Sequence, residues 1–295
     1  MRSFCRWLVL FVVPLLLCQS HAQDRIDCNA LQSRVLAQTV HYCVMLPPGY
    51  DAATSGRSPR QYPVLYFLHG LGDNEQTLFK GGGWDLTEDL RRQNKISDFL
   101  IVAPEGKSSF YINSADGRVR YSDFFIREFI PYIESHYSIR RERSARAISG
   151  VSMGGYGALR FAFADPGLFS SVSAQSAALI AELPRQTTAT NAPTPLGAVF
   201  GSPVDLHHWN QNSPFFLAKQ NRASIRTTQL AIYFNCGRED EFGFDKGASE
   251  LDRQLQAEGI RHEFHLYPGN HGAEYFLAHL GETLMFHSRV FAAGK

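Results

Sequence analysis

The sequence predicts an α/β fold with a mostly parallel, doubly wound sheet and helices on both faces. Six short, near-continuous apolar segments recur along the chain, as expected for parallel strands that are buried on both faces. These segments are residues 64–68, 99–103, 146–149, 172–174, 230–234 and 263–267. Helical patterns lie between them, and such alternation of strands with helices is typical of a doubly wound sheet.

Two of the intervening segments have a clear helical periodicity. Residues 122–137 carry a broad apolar stripe rich in phenylalanine, and residues 245–258 repeat the pattern more weakly through leucine. Both segments are therefore expected to form helices that pack on the sheet. Near the N-terminus, the stretches around Val35 and Val44 are expected to add antiparallel strands at one edge.

The first 22 residues have the composition of a secretory signal peptide. Two arginines precede an apolar run at residues 7–17, and small residues follow it where a signal peptidase cleaves. The run is shorter than the roughly 20 residues that span a bilayer. We expect cleavage to leave one domain, residues 23–295, with no stable membrane insertion. A lipidated Cys18 is the alternative, which Leu17 disfavours because a small residue is expected before such a cysteine.

Composition and motifs limit the class of partner. The chain has 29 Lys+Arg against 28 Asp+Glu, a formal net charge of +1. That balance gives no electrostatic reason to expect nucleic acid or an anionic membrane as a partner. No C-x-x-C or H-E-x-x-H spacing indicates a metal site, and no cofactor is implied. We expect a small molecule as the ligand.

Three cysteines remain after the predicted cleavage. Because an exported chain can form disulfides, Cys28 and Cys43 are candidates for a bridge between neighbouring strands. Such a bridge would close a loop of about 15 residues and contribute about 3 kcal/mol to stability. Cys236 follows an apolar segment, which favours a small buried residue over a reactive thiol.

A serine between glycines is the most informative feature. The segment Gly150-Val151-Ser152-Met153-Gly154 lies between a predicted strand and an alanine-rich helical stretch. A G-x-S-x-G turn in that context forces the serine into a strained corner, where its hydroxyl projects above the sheet at a helix N-terminus. Ser152 is therefore a candidate nucleophile, although the motif alone also occurs by chance in glycine-rich loops.

A serine nucleophile needs a base and an acid that orients the base. In proteins with such a G-x-S-x-G turn, the acid comes after a late strand and the histidine lies nearer the C-terminus. His271 is the preferred base because it lies in a glycine-flanked loop. The other C-terminal histidines, on predicted strands or helices, are His262, His265, His279 and His287. The acid candidates are Glu239, Asp240, Glu241 and Asp245, among which spacing narrowly favours Asp240.

Acyl transfer also needs two N–H donors for the oxyanion, and removal of one such donor costs about 2.7–4 kcal/mol. The residue after the nucleophile, Met153, supplies one donor in this kind of site. The second comes from a loop after an early strand, and the glycine-rich segment 69–72 places Leu71 in that role.

The proline-rich stretch 183–226 breaks the alternation of strands and helices. A connection of this length is usually functional or disordered. We expect it to form a cap over the active site, with a surface excursion as the alternative. Three further loops, 47–50, 81–84 and 107–111, are equally consistent with lining a substrate pocket and with packing among loops.

Four segments together resemble the esterase D family, which includes feruloyl and acetyl-xylan esterases, S-formylglutathione hydrolase and mycolyltransferases. They are Tyr66-Phe67-Leu68-His69-Gly70-Leu71-Gly72-Asp73, Gly150-Val151-Ser152-Met153-Gly154-Gly155, Cys236-Gly237-Arg238-Glu239-Asp240 and Gly269-Asn270-His271. The resemblance implies an α/β-hydrolase fold. It also implies Ser152 as nucleophile, Asp240 as acid, His271 as base and the amides of Leu71 and Met153 as the oxyanion hole.

The sequence thus predicts a secreted or periplasmic serine carboxylesterase whose substrate is a small-molecule or polysaccharide-linked ester. An acyltransferase with the same triad is the first alternative. A non-catalytic binding protein with this fold is the second. None of these residues specifies which ester is the substrate.

Overall fold

An eight-stranded sheet organises the computed structural model, which describes residues 25–55, 59–181, 183 and 195–294. The strand order is β1-β2-β4-β3-β5-β6-β7-β8. The six strands from β3 to β8 run parallel, while β1 and β2 pair antiparallel with each other and β2 pairs antiparallel with β4. The predicted doubly wound α/β fold is confirmed. The predicted signal peptide, residues 1–22, lies outside the described residues.

The six parallel strands, β3 to β8, coincide closely with the predicted apolar segments. The bounds of all the strands are β1 Arg25–Ser33, β2 Gln38–Leu46, β3 Val64–Leu68, β4 Leu100–Pro104, β5 Arg146–Val151, β6 Ser171–Gln175, β7 Ala231–Gly237 and β8 Glu263–Tyr267. Strands β3 to β7 are buried along almost their whole length, whereas β8 is partly exposed because it forms one edge of the sheet.

Helices cover both faces of the sheet. They are α1 Tyr50–Thr54, α2 Trp84–Arg92, α3 Tyr121–Phe124, α4 Ile130–His136, α5 Met153–Ala164, α6 Pro195–Phe200, α7 Leu206–Asn212, α8 Pro214–Gln220, α9 Arg222–Thr227, α10 Phe244–Ala257 and α11 Ala273–Ala293. A wide π-type turn at Phe125–Phe129 joins α3 to α4, so the predicted helix at 122–137 is one continuous element. The helix predicted at 245–258 is α10.

Alternate residues of strands β2 to β5 enter two separate hydrophobic cores. On β3, Val64, Tyr66 and Leu68 belong to the core shared with α3, α5, α8 and α10. Leu65 and Phe67 belong to the opposite core, which contains side chains of α2 and α11. This two-sided burial fixes the register of β3, because a one-residue slip would exchange the two sets.

The N-terminal edge differs from its prediction in one respect. The first strand is β1, and Val35 lies in the turn between β1 and β2. Most β1 side chains are exposed or half-buried, so this strand has no apolar run that sequence reasoning can detect. Cys28 and Cys43 stand directly opposite each other in the β1–β2 ladder and form a disulfide.

The segment predicted as a cap folds into four short helices in its described part, α6 to α9. Helix α8 packs against α5 and α10, and α7 packs against α6 and α8. Residues 184–194 lie outside the described residues, and the role of the segment as a cap stays a prediction. No helix in the described part of the chain is long and apolar enough to cross a membrane.

Candidate active site

Ser152 occupies the sharp corner between β5 and α5. Its backbone has φ 52° and ψ −117°, a conformation that costs a non-glycine residue on the order of 1–3 kcal/mol. A Cβ on Gly150 would lie 2.3 Å from the Gly154 backbone, and one on Gly154 would lie 2.0 Å from the Leu68 carbonyl oxygen. Both flanking positions therefore require glycine, because strand and helix approach too closely for a side chain.

One chain of hydrogen bonds joins the three predicted catalytic side chains. The Oγ atom of Ser152 lies 2.8 Å from Nε2 of His271, and Nδ1 of His271 lies 2.7 Å from Oδ2 of Asp240. An ionised carboxylate only accepts hydrogen bonds, so Nδ1 carries the proton and Nε2 is free to accept from the serine hydroxyl. This tautomer is the one that a serine nucleophile requires.

The carboxylate of Asp240 is buried yet kept ionised. Burial by itself raises the pKa of Asp240, but hydrogen bonds and the charge of His271 outweigh that effect and lower the pKa below its ordinary value. Oδ1 accepts N–H bonds from Phe242 at 3.1 Å and from Phe244 at 3.4 Å. Oδ2 also accepts a longer bond from the Cys236 thiol at 3.5 Å.

The competing acids on this loop hold the backbone around His271. Glu241 accepts a hydrogen bond from the His271 N–H at 2.9 Å, and Glu239 accepts one from the Gly269 N–H at 2.5 Å. Asp245 lies in the first turn of α10. Of the four candidates, Asp240 is the one whose carboxylate is hydrogen-bonded to the imidazole of His271.

The other C-terminal histidines considered as bases lie in other surroundings. His262 lies 2.8 Å from Asp252 at Nε2, and His279 lies 3.3 Å from Glu282 at Nδ1. His265 is on the edge strand β8. His287 is completely buried, and its two ring nitrogens are within 2.8 Å of serine hydroxyls on β6.

Two backbone amides are predicted to form the oxyanion hole. Met153 is the first residue of α5, so its N–H has no acceptor within the helix. Leu71 lies in the loop after β3 and lines the same cavity as Ser152. Among the described residues, the structure gives neither amide a hydrogen-bond acceptor. Both are therefore available to a bound ligand.

His69 fixes the loop that carries Leu71. Its Nδ1 donates to the Gly70 carbonyl oxygen at 2.7 Å, and its Nε2 accepts the Gly106 N–H at 2.7 Å. The Tyr111 hydroxyl donates to the carbonyl oxygen of His69 at 3.0 Å. Burial lowers the pKa of His69, which favours the neutral ring that these bonds require. The loop is thus held at both the imidazole and the backbone of His69.

A cavity of about 310 Å³ lies against Ser152 and His271. Its apolar lining residues include Leu71, Leu78, Val151, Phe276, Leu277 and Leu280. Asp73 adds one carboxylate and Gln175 one amide. Among the three loops considered as pocket lining, Gly81 and Gly83 of segment 81–84 line this cavity, whereas segments 47–50 and 107–111 do not.

The sequence also matches a known protein family over most of its length. The sequence model of the family described as "Putative esterase" matches residues 33–287. The chain belongs to this esterase family.

Individual relatives agree with that assignment. An esterase of Mycobacterium tuberculosis is 29% identical over 248 residues, which cover 77% of this chain and 51% of the relative. An acetyl esterase of Caldicellulosiruptor saccharolyticus is 27% identical over 239 residues, covering 77% of this chain and 84% of the relative. The solved structure of a ferulic acid esterase has a TM-score of 0.77 at 27% identity and covers 91% of this chain and 99% of that one. The chain thus spans about half the length of the mycobacterial relative.

Some residues of this esterase-family site escaped sequence reasoning. Phe242, Phe244 and Phe276 approach the His271 ring edge-on, with centroids 5.0–5.3 Å away. Gln175 lines the cavity, and its backbone carbonyl oxygen accepts a hydrogen bond from the Ser152 N–H at 2.9 Å. These residues lie on separate elements, and none of them belongs to a short sequence motif that would have identified it. Only the position of Gln175 at the carboxyl end of a strand was a usable signal.

Proposed function

We propose that this chain is a serine carboxylesterase that hydrolyses its substrate through an acyl-enzyme on Ser152. The observation that carries the proposal is the unbroken hydrogen-bonded chain from Ser152 through His271 to Asp240, beside a cavity that Ser152 and His271 line. Membership of the esterase family and the named esterase relatives support it. A serine, a base within hydrogen-bond reach and an acid that orients the base form the general pattern of an activated nucleophile.

In the first half-reaction, Ser152 Oγ attacks the ester carbonyl carbon while His271 Nε2 takes the hydroxyl proton. The carbonyl oxygen becomes an oxyanion that the amides of Leu71 and Met153 stabilise by donating hydrogen bonds. When the intermediate collapses, the bond to the alcohol oxygen breaks, and His271 gives its proton to the departing alcohol. Asp240 stays ionised and stabilises the transient imidazolium.

In the second half-reaction, water replaces the alcohol. His271 Nε2 takes a proton from the water, whose oxygen attacks the acyl carbon and forms a second oxyanion at the same amides. Collapse releases the carboxylic acid and returns the proton to Ser152 Oγ. The His271 ring keeps its Nδ1 proton throughout the cycle, because that proton stays hydrogen-bonded to the Asp240 carboxylate.

The cavity indicates the kind of ester. Its lining is mostly apolar. Among the described residues that line it, Asp73 has the one carboxylate. Apolar walls favour an uncharged acyl group, since a charge there would lose its hydration without a partner. We therefore propose esters of apolar acids, on a small molecule or a polysaccharide. Relatives named acetyl esterase and ferulic acid esterase support this range.

Export is part of the same proposal. The predicted signal peptide and the Cys28–Cys43 disulfide are both consistent with an oxidising compartment, because disulfides persist there and are rare in a reducing cytosol. The secreted or periplasmic location is tested by fractionating cells and by determining the N-terminal residue of the mature protein, which is expected to be Gln23.

The enzymatic proposal is tested by hydrolysis rates over acyl esters of increasing chain length and over feruloyl and acetyl-sugar esters. We expect kcat/KM to rise from acetyl to larger apolar acyl groups, and Ser152→Ala to lose at least about 10³-fold. Full activity in Ser152→Ala would refute the mechanism. Formation of a new ester with an added alcohol, in place of free acid, would instead identify an acyltransferase.

A further inference from the structure

A second polar cleft lies along α5, away from Ser152. Arg160 is eight residues after Ser152, which places it about 12 Å further along the helix axis at ~1.5 Å per residue. The cleft has a volume of about 590 Å³. It opens between α5, the loop that contains Asn113 and the helices α7 and α8 of the predicted cap segment. The cavity at Ser152 shares no lining residue with it.

The guanidinium of Arg160 is held by neutral groups. Its Nε donates to Asn212 Oδ1 at 3.2 Å, and its Nη1 donates to the Ser122 hydroxyl at 2.8 Å. Arginine has five N–H donors, so three remain for other acceptors. Within the described part of the chain, no carboxylate lies at ion-pair distance from Arg160. The nearby Asp123 is bound by Arg120 at 2.6 Å.

The remaining lining also lacks negative charge. Besides Arg160, the cleft is lined by two imidazoles, five amide side chains and one phenyl ring, namely those of His207, His208, Asn113, Asn210, Gln211, Asn212, Gln220 and Phe216. Asp205 lies close to both histidines, but its carboxylate accepts their backbone N–H groups at the start of α7. The cleft therefore combines a fixed positive charge with many neutral hydrogen-bonding groups.

The Arg160 side chain is half-buried, and a charge that is partly removed from water is unfavourable without a counter-ion. Burial lowers the pKa of Arg160, consistent with that cost, although a guanidinium stays protonated. An anionic ligand would supply the missing partner. A single fixed charge matches a monoanion, and amide side chains of the kind that line the cleft both donate to and accept from hydroxyl groups.

We propose that this cleft binds a small carboxylate-bearing molecule, with the carboxylate on the free N–H groups of Arg160. Two sources share that chemistry, an acidic sugar and the acid released by ester hydrolysis. The ligand would bridge α5 to the predicted cap segment, which are already joined by a hydrogen bond from the Tyr156 hydroxyl to the Asn212 carbonyl oxygen at 2.8 Å. The cleft is a binding site separate from the catalytic one.

The test is calorimetric titration of the whole folded protein with three probes: D-galacturonate, acetate and the neutral methyl α-D-galactopyranoside. At least one carboxylate is expected to bind with Kd on the order of 1 mM, and the neutral sugar at least tenfold more weakly. Tight galacturonate with weak acetate identifies an acidic sugar as the source, and the reverse identifies the released acid. Equal affinity for the neutral sugar, or no saturable carboxylate binding up to about 50 mM, would overturn the proposal.

Two variants localise the binding. Arg160→Gln is expected to raise Kd for the bound carboxylate at least tenfold, while Arg289→Gln, an exposed arginine on α11 with the same charge change, leaves it unchanged. Since Arg160→Gln could also disturb packing, Gln211→Glu provides a second variant at an exposed lining position. It adds a like charge and is expected to weaken binding severalfold. Unchanged affinity in both cleft variants would place the ligand elsewhere.

Discussion

At the scale of single residues, the reactivity of Ser152 depends on how His271 is fixed. One ring nitrogen faces the serine and the other faces Asp240, while Glu241 holds its backbone. Three phenylalanines surround the ring and keep it from rotating freely. The imidazole is therefore positioned by contacts from several elements and not only by its own loop.

Replacement of Asp240 by asparagine tests that dependence. The amide fills the same space but can donate to His271 Nδ1, which favours the tautomer with the proton on Nε2 and removes the base. We expect kcat to fall by about 10²–10⁴-fold, measured on the best ester substrate. Glu241→Gln keeps an acceptor for the His271 N–H and serves as the matched control, with activity within a few fold of the wild type. An Asp240→Asn variant as active as this control would remove Asp240 from the mechanism.

Sequence reasoning could identify Ser152 and His271 because each lies in a short glycine-containing motif. Spacing favoured Asp240 only narrowly over Glu239 and Glu241, since neighbouring residues on a loop differ only in where the backbone turns their side chains. The structure shows that difference: one carboxylate contacts the imidazole and the two glutamates contact backbone amides.

At the scale of elements, the close approach of β5, α5 and β3 creates the nucleophile turn. The helix starts one residue after the serine, and the Gly154 backbone lies against the end of β3. This contact places the N-terminus of α5 at the carboxyl edge of the sheet. It brings the Met153 amide to the same edge as the loop with Leu71, where ligands bind in open α/β sheets.

A pair of glycine variants tests this packing. Gly154→Ala forces a Cβ to 2.0 Å from a backbone oxygen, so we expect destabilisation of about 1–3 kcal/mol or more together with loss of activity. Gly281→Ala, inside α11, meets only Leu90 at 3.9 Å and is expected to be neutral or to stabilise by up to about 1 kcal/mol. Thermal unfolding and esterase assays report both effects. Equal behaviour of the two variants would refute the argument from backbone contact.

Helices and strands with a clear apolar pattern were predictable from the sequence, and those without such a pattern were not. The central strands β3 to β7 are buried on both sides, and β3 and β4 are continuous apolar runs, whereas polar residues alternate with apolar ones in β6. Strand β1 is mostly exposed and is defined by its pairing with β2. Its own sequence carries no apolar pattern that predicts a strand. The short helices of segment 183–226 likewise depend on tertiary contacts, because α8 packs against α5 and α10 and the others pack against neighbouring short helices.

At the scale of the whole molecule, α11 ties the C-terminal half of the chain to the sheet. His287 on this helix is completely buried, with Ser171 at 2.8 Å and Ser173 at 2.7 Å from its ring nitrogens. Ser173 in turn donates to Ser149 on β5 at 2.8 Å. The helix that follows His271 is thus anchored to the strand that leads to Ser152.

This anchor predicts a pH dependence of global stability. Burial lowers the pKa of His287 to about 3, whereas the unfolded chain has a histidine pKa of about 6.5. Between these values the unfolded state binds one more proton, so His287 lowers the free energy of unfolding by up to about 1.4 kcal/mol per pH unit as pH falls. Above pH ~6.5 it has no such effect.

We therefore expect His287→Gln to flatten the dependence of unfolding free energy on pH between about pH 4 and 6, measured by urea denaturation. His265→Gln, at an exposed histidine on β8, is the control and should keep the wild-type slope. A wild-type slope in His287→Gln would show that the buried imidazole does not govern acid stability.

The role of Ser152 as nucleophile is tested most directly by the intact mass of the protein after reaction with a fluorophosphonate, followed by peptide mapping. We expect one adduct, located on Ser152, with parallel loss of esterase activity and no adduct in Ser152→Ala. Labelling at another serine, or full activity after complete labelling of Ser152, would contradict it.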